Sequence, residues 1–313
     1  MRSALSTYRL SLDGSAQLLG SAASSSQAFT TTSPDGRYRY ELSSVGLTLV
    51  KAGSGTRQLL TTSLYAQRPY WSATGKLAFT DRAGGLTRLV VFNPATNTRR
   101  VVASHVCGDA LVDPWAPDGN DLAVAVSSAH TGCNGHGGVV VAVSDATSGR
   151  MRRITGPQSA PIAWTRDGSQ LLIATRDTTG SATSRLINPH TGKGRVAFPS
   201  YEPLVGGAWS PAHRFFAALA TNASRQQVLV IVGGSFTGPV KALGYATLYA
   251  WAPRRQLLAI ATRTNIRVFD PSTGLVLTMI PAHTPYGLVV QSLVWDHSER
   301  TLRIAALPSL GHD

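Results

Sequence analysis

A short motif built around tryptophan returns about every 44 residues and decides which folds are open to the chain. In each copy an apolar segment ends at the tryptophan, a turn follows, and a second apolar segment begins, as in "YWSATGKLAFT" at 70–80. The marker residues of the seven copies are Thr32, Trp71, Trp115, Trp164, Trp209, Trp251 and Trp295. All six tryptophans of the protein stand in this register. Self-similarity at a period of roughly 20 to 50 residues is typical of repeat architectures, so a repeat protein is predicted.

Each copy carries the signals of four short strands. The first strand ends at the marker, and a turn such as "SPDG" (33–36) leads into a second strand such as "QLLIAT" (170–175). Proline suits the second position of such a turn, and glycine suits the position that needs a positive φ. A third strand runs into another turn, "NPATN", "SDATSG", "NPHTG" or "DPSTG", and a short fourth strand closes the copy. No stretch has a sustained helical period, so an all-β fold is predicted.

Seven four-stranded copies of this length predict a seven-bladed β-propeller. The expected blades span about 27–61, 67–103, 109–155, 159–198, 204–243, 246–280 and 289–307. The last copy offers only two strands, whereas residues 6–20, before the first copy, read as an unpaired third and fourth strand. We expect these segments to share the closing blade, which removes exposed edges and makes residues 1–313 one domain.

The Trp-Ser-Pro-Asp-Gly type of turn, followed by an alternating apolar strand, resembles the repeat of TolB-like and WD-repeat-like bacterial propellers. The best matches are "TSPDG" at 32–36, "WAPDG" at 115–119 and "WTRDG" at 164–168, and the resemblance spans nearly the whole chain. Copies five to seven, "WSPAH", "WAPRR" and "WDHSE", lack the Asp-Gly pair. The copies also lack the Trp-Asp dipeptide that ends a eukaryotic WD repeat and the Gly-His pair of such a repeat, which favours the TolB-like side. The resemblance implies the fold, whereas such propellers serve as binding platforms, as regulatory domains ahead of peptidases and occasionally as enzymes.

Composition places the 313-residue chain among folded proteins, since 43% of its residues are hydrophobic and only 14% are charged. No apolar run is long enough for a membrane span, and "MRSALSTYRLSL" lacks the apolar core of a secretory signal. An export signal or a membrane anchor upstream of Met1 stays open. The net charge of +13 arises mostly from 25 arginines against 4 lysines, which indicates either an anionic partner or a general arginine bias of the source.

The two cysteines lie in loops of the same predicted blade. Cys107 stands in the loop that enters the third blade, and Cys133 stands in its second-to-third-strand loop, the longest insertion in the chain. Both loops belong to one face of the blade, so a Cys107–Cys133 disulfide is expected, with two free thiols as the alternative. A second alternative is a mixed Cys/His zinc site that adds His105, His130 and His136. The spacing of these residues matches no standard zinc finger, and no cofactor is expected.

Tyrosines recur in the predicted connections between blades. In a propeller these connections and the second-to-third-strand loops lie on one face, around the mouth of the central channel. The ligand-binding residues expected there are Tyr65, Arg68, Tyr201, Glu202, Tyr245, His283 and Tyr286. Tyrosines with a few polar groups at a concave mouth suit a peptide, protein or glycan. The alternative is that the tyrosines pack between neighbouring blades.

Basic residues recur in the turns of the opposite face. They are Arg37, Lys76, Arg166, Arg214, Arg254, Arg255 and Arg300 in the first set of turns, and Arg99, Arg150, Lys193, Arg195 and Lys241 in or near the second. Such a face suits an anionic polymer, nucleic acid or an anionic lipid surface. Five acidic residues interrupt it, namely Asp35, Asp118, Asp167, Asp296 and Glu299. Solvated turn charge is the alternative reading.

Enzyme motifs are missing from the sequence, which has no G-x-S-x-G elbow, no H-E-x-x-H, no P-loop and no G-x-G-x-x-G. We therefore predict a non-catalytic, monomeric binding module that takes a peptide, protein or glycan at the mouth. The cysteine pair and the TolB-like resemblance favour an extracytoplasmic or secreted location. One alternative is a propeller lyase or hydrolase that uses His105, His130, His136 or His283. The other is a binder of anionic polymer through the basic face.

Overall fold

The computed structural model describes residues 5–13, 16–22, 29–63, 69–107, 113–128, 133, 138–156, 158–179, 181–202, 205–281, 288–296 and 299–308. Within these ranges the chain is almost entirely β-structure, and its one helical element is a single 3-10 turn, Pro211–His213. Contacts group the chain into two units, Ser26–Gly206 and the combination of Met1–Ser25 with Gly207–Asp313. The single-domain organisation expected from the repeat stays a prediction.

The chain opens with two paired strands, β1 (Leu5–Ser11) and β2 (Ala16–Ala22). The unit Ser26–Gly206 then forms four antiparallel sheets, called blades one to four. Blade one comprises β3 (Phe29–Thr32), β4 (Tyr38–Ser43), β5 (Gly46–Lys51) and β6 (Arg57–Thr61). Blade two comprises β7 (Tyr70–Trp71), β8 (Leu77–Ala83), β9 (Leu86–Asn93) and β10 (Thr98–Ser104). Blade three comprises β11 (Asp121–Ser127), β12 (Val139–Asp145) and β13 (Met151–Arg153), and blade four comprises β14 (Ser159–Trp164), β15 (Leu171–Arg176), β16 (Ala182–Ile187) and β17 (Gly194–Ala197).

The second unit contains the remaining three sheets. Blade five comprises β18 (Val205–Trp209), β19 (Phe215–Thr221), β20 (Gln227–Gly233) and β21 (Lys241–Ala242). Blade six comprises β22 (Leu248–Trp251), β23 (Leu258–Ala261), β24 (Asn265–Asp270) and β25 (Leu275–Pro281). The last two strands are β26 (Leu288–Trp295) and β27 (Thr301–Pro308).

The closing blade joins the two ends of the chain, in the strand order β2-β1-β27-β26. Its central strands are antiparallel and in unbroken register, with Tyr8 opposite Ile304 and Leu10 opposite Leu302. Leu10 and Leu302 are both buried in the core of this unit. The two chain ends therefore share one blade, as predicted. Together with the six sheets before it, this blade makes the fold a seven-bladed β-propeller.

In four blades the turn after the marker is held by the hydroxyl of the next residue. In blade four, Thr165 Oγ1 accepts the N–H of Gln170 at 3.0 Å, and Asp167 Oδ1 accepts the N–H of Ser169 at 3.1 Å. Gly168 then takes a φ of 72°, which a side chain would strain. The same hydroxyl role falls to Ser33, Ser72 and Ser210. The repeated turn motif is thus a set of local hydrogen bonds that a strand-turn-strand unit needs.

Blades five and seven, the latter being the closing blade, lack this glycine, and other residues adopt the left-handed backbone instead. His213 has a φ of 52° and Glu299 a φ of 56°. Both turns still close, because Ser210 Oγ accepts the N–H of Phe215 at 3.0 Å and the Asp296 carbonyl accepts the N–H of Glu299 at 3.2 Å. Loss of the Asp-Gly pair in these copies therefore changes the turn and keeps the blade.

Blade three departs from the predicted four strands, since its described part has three. Of the expected first strand, the described residues show one bridge, between Trp115 and Leu122. Pro114 has no N–H to donate to a sheet. The N–H of Trp115 is taken by the carboxylate of Asp113 at 3.1 Å. These local groups replace sheet hydrogen bonds at Trp115, and a complete four-stranded third blade stays a prediction, since residues 108–112 lie outside the described residues.

Four of the marker tryptophans reach from their blade to the one before it. In each of these four the indole Nε1 donates to the backbone carbonyl of the residue that precedes the earlier marker. The pairs are Trp115 with Tyr70 (2.9 Å), Trp164 with Pro114 (3.0 Å), Trp251 with Ala208 (2.9 Å) and Trp295 with Ala250 (3.0 Å). One sequence period therefore corresponds to one blade-to-blade contact, which explains why tryptophan returns.

Candidate functional site

The two edges of each blade differ in the connections that leave them. The turns between first and second strands and between third and fourth strands leave one edge, here the turn side. The second-to-third-strand loops and the connections between blades leave the other edge, here the loop side. Of the predicted loop-side residues, Tyr201, Glu202, Tyr245 and His105 belong to the described part of the chain. Tyr65, Arg68, His130, His136, His283 and Tyr286 lie outside the described residues.

The predicted disulfide is present on the loop side of blade three. Cys107 and Cys133 are bonded, with their Cα atoms 5.3 Å apart. The N–H of Cys107 donates to the carbonyl of Ala125 at 2.8 Å, which fixes this loop against β11. Each sulfur is bonded to the other, so neither is a thiolate of the kind that zinc requires. The described residues include no cluster of three metal-ligating side chains, and His105 is half-buried two residues before the disulfide.

A depression of about 410 Å³ lies beside the disulfide, on the loop side of blades three and four. Small apolar side chains form most of its wall, namely Ala125, Val139, Ala160, Ala174 and Ala182. Gln158, Thr175 and Arg176 add polar groups. Arg176 is exposed, and no carboxylate among the described residues lies within 4.0 Å of its guanidinium. This disulfide pocket has room for a small apolar group beside an anionic one.

Tyr201 and Glu202 lie in the connection that follows blade four. The N–H of Tyr201 donates to the carbonyl of Phe198 at 3.0 Å, and Phe198 is itself buried. Tyr201 is half-buried, whereas Glu202 is exposed. This connection therefore covers part of the aromatic ring and leaves a carboxylate in solvent. The covered part of the ring agrees with the packing alternative, and the exposed carboxylate agrees with the ligand-binding prediction.

Tyr245 lies in the connection between blades five and six and is 39% exposed. The guanidinium carbon of Arg263 stands 5.4 Å from the centre of the tyrosine ring, within the range of a cation–π contact. Both residues line a depression of about 570 Å³, together with Arg225 and Gln227. The side-chain amide of Gln227 donates to the carbonyl of Ala246 at 2.9 Å, which ties the wall of the depression to the Tyr245 connection. This Tyr245 pocket brings an aromatic face and two guanidinium groups together.

Neither a protein-family model nor a curated protein matches the sequence. Solved structures do match it. TolB from Acinetobacter baumannii aligns with a TM-score of 0.52 and 15% identity, over 90% of this chain and 64% of that chain. The fold is a TolB-like β-propeller.

Other solved structures share this TolB-like fold. A puromycin hydrolase aligns with a TM-score of 0.56 and 17% identity, over 94% of this chain and 53% of that chain. A eukaryotic initiation factor aligns with a TM-score of 0.51 and 12% identity, over 98% of this chain and 99% of that chain. Identities this low show the fold alone, and the fold does not choose between these activities. In the described part of this TolB-like propeller, no helix has the length and apolar character needed to cross a membrane.

Sequence reasoning missed the arginines on the loop side of the TolB-like propeller. Each stands at or just after the second strand of its blade, and they are Arg82, Arg176, Arg225 and Arg263. Only their position in the repeat could have revealed them, because the repeat register assigns the second-to-third-strand loops to the loop side. Positive charge therefore lies on both sides of the blades, whereas the sequence analysis placed the basic surface on the turn side.

Some charges assigned to the predicted basic face of this TolB-like propeller serve the fold instead. Arg99 donates to the Asp81 carboxylate at 2.6 Å and to the carbonyl of Leu60 at 2.9 Å. Glu299 is only 5% exposed, and its carboxylate accepts the N–H of Arg255 at 3.2 Å. Two of the five N–H donors of Arg99 therefore serve internal partners, and the surface left for an anionic polymer is smaller than the sequence suggests.

The turn-side carboxylates of the TolB-like propeller are mostly structural acceptors. The hydrogen bond from the Thr165 hydroxyl holds the pKa of Asp167 below its ordinary value. Hydrogen bonds within the turns also lower the pKa of Asp35, Asp145 and Asp270. Asp121 is different, because burial, with the nearby negative charges of Asp118 and Asp145, raises its pKa. The turn geometry and local charges explain these pKa shifts, and no catalytic role is needed to account for them.

Proposed function

We propose that this chain is a non-catalytic binding module that takes a peptide, protein or glycan on its loop side. The observation that carries the proposal is the exposed Tyr245 ring beside the Arg263 guanidinium, at the edge of a depression of about 570 Å³. A ring face supports apolar or sugar groups, and a neighbouring guanidinium supplies directed hydrogen bonds and charge. This combination suits recognition of an extended ligand with mixed apolar and polar groups.

Regular structure supports the groups of the Tyr245 pocket. Arg263 follows the end of β23, Gln227 opens β20, and Tyr245 lies shortly before β22. The guanidinium of Arg267 donates to the carbonyls of Leu243 and Tyr245, each at 3.5 Å. Side chains held at strand ends lose little freedom when a ligand arrives, which favours binding by a preformed site.

Arginine is common to both loop-side depressions. The disulfide pocket presents Arg176 beside an apolar wall, and the Tyr245 pocket presents Arg225 and Arg263. Guanidinium groups bind carboxylates and other oxyanions through paired hydrogen bonds. Within the proposed ligand classes, peptides and glycans that carry acidic groups are therefore favoured.

The disulfide supports the proposed setting of the protein. Disulfides persist in oxidising compartments and are rare in the cytosol. The Cys107–Cys133 bond therefore favours an extracytoplasmic or secreted location, where peptides and glycans are exposed to such a module. We propose that the module acts there as a monomer in recognition or sensing.

Peptide and glycan arrays probed with the folded protein test this proposal, followed by titrations of the strongest ligand. Tyr245→Ala and Arg263→Gln should each weaken binding by roughly tenfold or more, since aromatic and arginine residues dominate binding sites of this kind. Arg255→Gln is the matched control, because it removes an exposed arginine from the turn side of the same blade. Binding should be unchanged in this control.

Three outcomes would overturn the proposal: no ligand on either array, a ligand whose affinity Tyr245→Ala and Arg263→Gln leave unchanged, or binding confined to heparin and DNA. In the last case, affinity that falls steeply with salt and weakens in Arg255→Gln would support the anionic-polymer alternative instead.

A further inference from the structure

Another depression, of about 600 Å³, lies between β6 of blade one and the sheet of blade two. The residues that matter here, called the arginine-pair site, are Leu59, Thr61, Asp81, Arg88, Arg99 and Val101. None of them lines the Tyr245 pocket or the disulfide pocket. The arginine-pair site is therefore separate from the two loop-side pockets.

Two arginines in this site share a single carboxylate. Asp81 is 7% exposed, and its Oδ2 accepts from Arg88 Nη2 at 2.7 Å and from Arg99 Nη2 at 2.6 Å. Its Oδ1 accepts the hydroxyl of Thr61 at 2.8 Å. No other carboxylate in the described ranges lies within 4.0 Å of either guanidinium. Two guanidinium groups and one carboxylate therefore give the site a net charge of +1.

Hydrogen-bond donors in the site also remain unused. A guanidinium group has five N–H donors, of which Arg88 gives one to Asp81, and Arg99 gives one to Asp81 and one to the carbonyl of Leu60. Arg88 Nε is buried and has no acceptor among the described residues. The side chains of Arg88 and Arg99 are 30% and 41% exposed, so a ligand can reach them from the depression. An anion placed there can accept hydrogen bonds from both arginines.

Apolar side chains flank the charged centre. Leu59 is 54% exposed in β6, and Val101 is 41% exposed in β10. Large apolar side chains beside a charged recess suit a ligand in which one anionic group lies between apolar groups. A polypeptide can present an anionic group between apolar side chains, whereas nucleic acid cannot.

We propose that the arginine-pair site binds a glutamate or aspartate side chain from an extended segment of a partner protein. The apolar neighbours of that acidic residue lie on Leu59 and Val101. A single carboxylate balances the net charge of +1 and pairs well with guanidinium geometry. A doubly charged phosphate is less suitable, because the Asp81 carboxylate at the base of the site repels it more strongly.

A short synthetic peptide with glutamate between leucine and valine serves as the probe, and the same peptide with glutamine serves as its control. The wild-type protein should bind the glutamate peptide at least roughly tenfold more tightly. Arg88→Gln should abolish this preference. Arg166→Gln, which removes an exposed arginine from the turn side of blade four, should retain it. Tyr245→Ala should also retain it, which separates this test from that of the loop-side function.

Arg88→Gln removes a partner of Asp81, so a second variant is needed to distinguish a loss of binding from a loss of folding. Leu59→Asp changes a side chain that is 54% exposed and places a carboxylate at the rim. We expect it to abolish peptide binding with unchanged thermal unfolding. Failure of the wild-type protein to bind the glutamate peptide would overturn the proposal. Equal binding of the two peptides, or binding that survives both substitutions, would overturn it as well.

Discussion

The indole N–H of Trp164 donates a hydrogen bond to the carbonyl oxygen of Pro114, 3.0 Å away, and so ties blade four to blade three. The donor is the marker of one copy, and the acceptor precedes the marker of the copy before it. The same relationship joins Trp115 to Tyr70. Because the contact repeats with the sequence, the tryptophans specify which blades are neighbours as well as where strands end.

Trp164→Phe tests the energetic value of this contact. The change removes the donor and part of the ring but keeps an aromatic side chain in the core. We expect the free energy of unfolding to fall by about 2 kcal/mol, through the lost hydrogen bond and the space left behind. Urea unfolding followed by circular dichroism measures the change. Trp295→Phe should cost a similar amount, and a negligible cost at both positions would contradict the role assigned to the indole.

Gly207 is required by close contact with Phe216. A Cβ at position 207 would stand 1.9 Å from Phe216 Cζ, and that ring is 1% exposed and packs edge-on against Trp209. Gly207→Ala should therefore lower the free energy of unfolding by about 3 kcal/mol. Gly233→Ala is the control, because a Cβ there meets nothing within 4 Å, and it should change stability by less than about 0.5 kcal/mol. Equal effects in urea unfolding would refute this account of Gly207.

Removal of the Cys107–Cys133 disulfide should destabilise the protein. The bond closes a segment with a sequence separation of 26 residues, and the chain-entropy model assigns such a closure about 3 kcal/mol. The Cys107→Ser, Cys133→Ser double variant should lose roughly this amount in urea unfolding. Adding a reductant should lower the midpoint of the wild-type protein and leave that of the double variant unchanged. A reductant that affects neither protein would contradict the contribution of the bond.

Asp81 should contribute stability that is lost in acid. Burial by itself would raise its pKa, but hydrogen bonds from Thr61 and Arg88 and the charge of Arg99 outweigh burial and hold the pKa below the ordinary 3.8. A carboxyl group with a lowered folded pKa stabilises the fold above its unfolded pKa, and this contribution disappears as pH falls through the folded value. Asp81→Asn should therefore cost about 2 kcal/mol near neutral pH, and the difference from the wild-type protein should shrink as the pH falls below 3.8.

Asp121 provides a control of opposite sign for the same urea titrations. Its folded pKa is raised, chiefly by burial, so its ionisation opposes folding once the pH exceeds that value. Asp121→Asn should raise the free energy of unfolding near neutral pH by roughly 0.5 to 1 kcal/mol and give no gain in acid. Changes of the same sign in Asp81→Asn and Asp121→Asn would contradict the charge environments described for both residues.

The repeat allowed most of the fold to be predicted, because the recurring residues perform recurring physical tasks. Trp164 makes the contact between blades, Thr165 holds the turn, and Gly168 supplies its left-handed backbone. The shared closing blade followed from counting strands at the two ends. The hydrogen bond from the N–H of Trp115 to the carboxylate of Asp113 did not follow from the repeat, because Asp113 stands in this copy alone at that position.

The candidate sites were less accessible to sequence reasoning. The Cys107–Cys133 pair could be predicted because both residues lie in loops of one face of one blade. The contact between Tyr245 and Arg263 joins two loops whose distance depends on blade packing rather than on spacing. The convergence of Arg88 and Arg99 at Asp81 depends on strand register and side-chain direction within the sheet of blade two, for which a strand pattern gives no signal.

A crosslink between the central strands of the closing blade tests the architecture most directly. Arg9 and Arg303 stand opposite each other in β1 and β27, and opposed residues of antiparallel strands lie close enough for a disulfide. The Arg9→Cys, Arg303→Cys double variant should form an intrachain bond on mild oxidation, identified by peptide mapping, and should unfold at a higher temperature than its reduced form. The two single variants should form no such bond. A folded double variant whose new thiols both stay free would contradict a blade shared by the two ends of the chain.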